Sequence, residues 1–94
     1  MSKVDKLAND LINSHWPKCN SIAEELFSIG TEDAKKALLQ GLNSKRHHAR
    51  TASIRSLVKF EDDSIVESLE RLLEDPAYET RTEAKNAIDA LKKK

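Results

Sequence analysis

Apolar residues recur along this chain at the spacing of an amphipathic helix, with polar and turn-forming residues between the recurrences. Val4, Leu7, Leu11 and Ile12 share one helical face, as do Ala34, Ala37, Leu38 and Leu42, and again Ile65, Leu69, Leu72 and Leu73. After each of these comes a second apolar face: Ile22, Leu26 and Ile29, then Ala49, Ser53, Leu57 and Phe60, then Ala84, Ala87, Ile88 and Leu91. The pattern predicts six helices, at about 3–13, 17–29, 32–43, 46–59, 63–74 and 77–91, and no strands.

The punctuation agrees with that division. Gly30 can take the positive φ of a helix C-cap, and Thr31 can cap the helix that follows, with Glu32 and Asp33 in its first turn. Asp62 or Asp63 before Ser64 repeats the device. Pro76 follows Asp75 between helices, and Pro17 suits a first turn, where its missing N–H costs nothing.

The helices come in pairs, and the pairs repeat. Leu7, Leu38 and Leu69 recur at steps of 31 residues with no gap, as do Leu11, Leu42 and Leu73, and Leu26, Leu57 and Ile88. A period of this length means stacked supersecondary units, each completed by its neighbours. The expectation is an all-α solenoid of three helix pairs, at about 3–29, 32–60 and 63–91, in one domain over residues 1–94.

Composition narrows the function more than the fold. Charged residues make up 34% of the 94, with two Gly and two Pro, as in a helical domain. Sixteen basic and sixteen acidic side chains cancel, so no global field steers the chain onto nucleic acid or an anionic membrane. A single Cys19 excludes an intramolecular disulfide, and Met1-Ser2-Lys3-Val4 opens no signal-peptide core. These features predict a cytoplasmic protein with no membrane association.

The run Leu72-Leu73-Glu74-Asp75-Pro76-Ala77-Tyr78-Glu79-Thr80-Arg81-Thr82-Glu83-Ala84, ending at Ala87-Ile88, resembles the HEAT repeat, in particular the short bacterial and archaeal kind found in phycobilisome-lyase-like proteins. Ala23 to Ala34 is similar to that family's junction between repeats. The resemblance implies a right-handed α-solenoid (α-α superhelix) whose second helices line a concave surface. It also maps the family's turn Asp and second-helix Arg onto Asp75 and Arg81, with Arg50 one period earlier, as structural residues stapling the repeats, and makes Arg81 a buried staple partnered by Asp75. The first pair departs from the pattern, with Asn13 and Cys19 at these positions, and the second has Ser44 in place of the Asp.

With Leu57 taken as inward, an angle of about 100° per residue turns His47, Thr51, Ile54, Arg55 and Val58 away from the core. The equivalents one period earlier are Trp16, Asn20, Ala23, Glu24 and Phe27, and one period later Tyr78, Thr82, Lys85, Asn86 and Asp89. The expected partner-binding column is Trp16, His47, Thr51, Arg55, Tyr78, Thr82 and Lys85, with the aromatics as anchors. Trp16 has a second reading, as a cover over the open end of the first repeat.

Local charge adds an alternative. Lys45, Arg46, Arg50, Arg55 and Lys59 gather with His47 and His48 before an acidic stretch from Glu61 to Asp75. Arg46, Arg55, Lys59 and Lys85 could serve a nucleic-acid-binding or modification-complex (phycobilin-lyase-like) subunit, although solvated faces of neighbouring helices commonly pair such charges. No catalytic constellation stands out. His15 and Cys19 are four apart and His47 and His48 are adjacent, so a zinc site can be drawn; yet adjacent histidines on a helix diverge by about 100° and no second Cys exists, and no metal site and no cofactor are expected. The sequence thus predicts a non-catalytic module that binds a protein or peptide, an acidic one among the candidates, through its concave surface. Nucleic acid is not the expected partner, and the chain is expected to be a monomer or a weak dimer through its repeat ends.

Overall fold

The computed structural model describes residues 2–93; Met1 and Lys94, the outer bounds of the expected 1–94 unit, lie outside them. Six α-helices are present among the described residues: α1 (Lys3–Asn13), α2 (Lys18–Ile29), α3 (Glu32–Gly41), α4 (His47–Leu57), α5 (Ile65–Glu70) and α6 (Tyr78–Lys92). No strand occurs among the described residues. α4 and α5 tighten at their ends into 3-10 turns, Val58–Phe60 and Arg71–Glu74, so each expected helix is present but two change pitch in their last turn.

Caps set the boundaries. Ser2 Oγ accepts from Asp5 N–H and Thr31 Oγ1 from Ala34 N–H, each at 3.1 Å. At α5 the Asp62 carboxylate takes over, accepting from Ser64 N–H at 2.9 Å and from its hydroxyl at 2.8 Å. Gly30 ends α2 at φ +69°, and one period later Glu61 ends the 3-10 turn after α4 at φ +55°. The same reversal is made once by a residue with no Cβ and once by a glutamate, which bears the left-handed penalty. Glu61→Gly is therefore expected to raise stability by up to about 1 kcal/mol, read from the midpoint of a urea titration.

The helices pack pairwise, α1 on α2, α3 on α4 and α5 on α6. α2, α4 and α6 lie side by side as one layer, with α1 against α3 behind it. α5 is tied back to the second pair by the ion pair of Lys35 with Asp62 and by Arg71 donating to Asn43. Leu11, Leu26, Leu38, Leu42, Ile54, Leu57, Ile65 and Leu69 are fully buried in one continuous core. Gly41 lets α3 close onto its neighbours, since a Cβ there would collide with Ser53 Oγ and come within 2.8 Å of Leu11 Cδ2.

The third pair differs from the other two where the next unit would dock. Ala8 and Leu39 become Glu70, Ala23 and Ile54 become Lys85, and Phe27 and Val58 become Asp89. The outer side of this pair is thereby polar. Leu73 keeps the apolar pattern and is 41% exposed, whereas its equivalents Leu11 and Leu42 are buried.

Between the second and third pairs the structural residues form a ladder. Arg50 Nη1 donates to the Ser44 carbonyl at 2.9 Å within its own repeat, and Nη2 donates to Asp75 Oδ1 of the next at 2.8 Å. Its Nε lies 2.7 Å from Asp75 Oδ2, an ion-pair approach that is not aligned as a hydrogen bond. Arg81 repeats the first half only, donating to the carbonyls of Asp75 at 2.6 Å and Pro76 at 3.2 Å. The Asp75 carboxylate thus belongs to Arg50, not to Arg81. At the first junction, where Cys19 stands in place of the arginine, the Ser44 hydroxyl donates to the Ile12 carbonyl at 2.8 Å and accepts Arg46 N–H. Cys19 is fully buried there, and burial pushes its thiol pKa up.

Candidate functional site: a groove along the second helices

The layer of second helices carries a groove whose walls come from all three repeats. Trp16, just before α2, is half-exposed, and its ring lies 6.1 Å from that of His48 and 5.9 Å from the Arg55 guanidinium. Both neighbours belong to the second repeat. Trp16 therefore spans a junction between repeats, and the reading of it as a cover for the open end of the first is not what the structure has.

His47 and His48 open α4, their ring centroids 4.0 Å apart, and Arg55 follows two turns later. From α6, Glu79 brings Oε1 to 3.6 Å from His48 Nδ1, and Glu83 accepts from Arg55 Nε at 3.0 Å. Trp16, His48, Arg55 and Glu79 line a hollow of about 230 Å³. Arg55 also borders a second hollow of about 180 Å³ between α4 and α6, with Ile54, Val58, Glu83, Asn86, Ala87 and Ala90. A guanidinium 38% exposed thus stands between an aromatic hollow and a more apolar one.

The expected column is brought together only in part. Trp16, His47 and Arg55 sit along this groove. Thr51 does not: it is buried, its Oγ1 3.0 Å from Thr80 Oγ1 of the next repeat, and Ile54 and Ala23 are buried with it. The expected outward face was wrong at these positions because α4 packs against α2, α3 and α6 at once and buries most of its circumference, so the side turned from Leu57 faces a neighbouring repeat. Thr82 and Lys85, the equivalents of Thr51 and Ile54, are exposed on the polar outer side of the third pair. Tyr78 is 75% exposed, its ring 5.7 Å from the Arg81 guanidinium.

His48, Glu79 and Glu83 were missed. The 31-residue offset pairs Trp16 with His47, but α2 starts at Lys18 while α4 starts at His47, so Trp16 lies outside its helix and meets His48 instead. Three of the basic residues have neighbours of their own. Arg46 Nη1 donates to His15 Nδ1 at 3.1 Å, Arg55 pairs with Glu83, and Lys59 lies 5.5 Å from the Phe27 ring. No helix is long and apolar enough to cross a membrane among the described residues.

In comparison with known families, the model of HEAT repeats matches residues 13–92. Neither the curated proteins nor the solved structures returned a match.

Proposed function

The chain belongs to the HEAT-repeat family, and from that premise we propose that it is a non-catalytic protein-interaction module whose partner lies in the groove from Trp16 across Arg55 to the hollow between α4 and α6. HEAT repeats are commonly protein-interaction scaffolds. The observation that carries the assignment is the half-exposed Trp16 ring held between His48 and Arg55 over a hollow. Tryptophan and arginine, two residue types that line this groove, are among those that dominate binding energy in protein interfaces.

The partner that fits is a peptide segment or helix with an apolar side chain for the Ile54–Ala87 hollow and a carboxylate for Arg55. Among the described residues Arg55 makes one hydrogen bond, through Nε, which leaves the Nη groups for a partner. The same charge pairing weighs against a nucleic-acid backbone, which needs several uncompensated cations in a row.

Trp16→Ala and Arg55→Ala are each expected to leave the melting temperature nearly unchanged and to weaken the partner by more than about 1 kcal/mol, roughly fivefold. The check is a capture from the native source with parent and both variants, followed by titration of the recovered protein. A partner that binds all three chains equally well would place the interface elsewhere. Thr51→Val serves as the contrast: it disturbs a buried hydroxyl pair and should lower stability without touching affinity directly.

A further inference from the structure

Within the groove, at the hollow that His48 and Glu79 line, the geometry points to a divalent transition-metal site: we propose that His47, His48 and Glu79 bind one ion of the zinc class between the first turns of α4 and α6. Each residue offers one donor atom, and the three donors lie within 4.8 Å of one another. Two imidazole nitrogens with one carboxylate oxygen suit zinc and the late first-row divalent ions, whereas calcium and magnesium prefer all-oxygen shells.

The distances are within reach of closure. With bonds of about 2.0–2.2 Å, a tetrahedral ion holds its ligands roughly 3.4 Å apart. His48 Nδ1 and Glu79 Oε1 are already at 3.6 Å, so one edge of the tetrahedron is formed. Small rotations of surface side chains close the rest, since the His48 and Glu79 side chains are 41% and 49% exposed.

Adjacent helical residues ordinarily point about 100° apart. Here the His47 and His48 rings nonetheless come to 4.0 Å, and the Trp16 ring lies beside His48. The one cation lining the same hollow, Arg55, is paired with Glu83, which lowers its repulsion of an incoming ion. Three protein ligands leave a fourth position for water. His15 and Cys19, the other residues from which a site could be drawn, are engaged with Arg46 and buried, respectively.

An ion at this place clips the second repeat to the third, so binding should raise the melting temperature. The test is calorimetric titration of tag-free, metal-free protein with Zn²⁺, and absorption titration with Co²⁺. The expected result is one ion per chain, a higher melting temperature with Zn²⁺, at least tenfold weaker binding in His48→Gln and in Glu79→Gln, and none in the His47→Gln/His48→Gln double variant. His15→Gln should bind as the parent does, and Mg²⁺ should not compete. Parent binding no tighter than millimolar, equal binding in the His48 and Glu79 variants, or loss of binding in His15→Gln would overturn the site.

Discussion

Truncation of Leu57 to Ala is expected to lower the unfolding free energy by about 2–5 kcal/mol, and truncation of Leu7 clearly less. Leu57 is fully buried at the end of α4, the helix that packs against α2, α3 and α6, so the space its side chain leaves closes only in part. Leu7 lies in α1, flanked by a repeat on one side only, and is 9% exposed. A stack of repeats is held by nearest-neighbour interfaces, and its end unit opens at lower free energy than its middle. Urea titrations of both variants check the difference. Equal losses would mean that the three pairs unfold with no protected centre.

The fold was legible because local and repeat signals agree. Apolar spacing placed the helices, Thr31 and Gly30 marked a junction that the structure reproduces in its cap geometry, and the recurrence of Leu7, Leu38 and Leu69 announced stacking. Two details were hidden. The tightening of α4 and α5 into 3-10 turns leaves the 3.6-residue apolar pattern unchanged, so periodicity cannot register it. The Asp75 carboxylate bonds Arg50 of the preceding repeat, and which of two arginines one period apart it takes depends on the spacing between repeats.

The site was less legible for a related reason. A single angle around α4 separates inside from outside only for a helix buried on one side, and α4 is buried on several. Thr51 and Ile54 therefore look outward from Leu57 and yet pack against α6. The groove residues His48, Glu79 and Glu83 are recruited from adjacent helices by the offset between helix starts, which no count along one helix reveals. Trp16 and Arg55, which do lie along the groove, stood out in the sequence because their residue types carry their own signal: a large amphipathic ring and a fork of donors.

Replacing Asp75 by Ala is expected to cost about 3 kcal/mol at neutral pH, the lower end of what breaking a buried ion pair costs. The Asp75 side chain is 5% exposed and that of Arg50 13%, so removal of the carboxylate leaves a guanidinium mostly shut away from water with only the Ser44 carbonyl for Nη1. The first junction offers a comparison without charge: Ser44→Ala removes the bond to the Ile12 carbonyl and should cost about 1 kcal/mol. Acidity distinguishes the ion pair from packing. Burial raises the Asp75 pKa, but the hydrogen bonds from the Arg50 side chain and Ala77 N–H, together with the charges of Arg50 and Arg81, outweigh it and hold the carboxyl below its ordinary value. A depressed native pKa stabilises the fold above the unfolded value of about 3.9, and that contribution fades as pH falls from there through the native value. The stability gap between parent and Asp75→Ala should accordingly be constant from neutrality down to about pH 5 and narrow below about pH 4, as measured by denaturant titrations at stepped pH. A gap that stays the same down to the lowest pH at which the parent folds would assign the loss to side-chain packing and remove the Arg50–Asp75 pair as the staple between the second and third repeats.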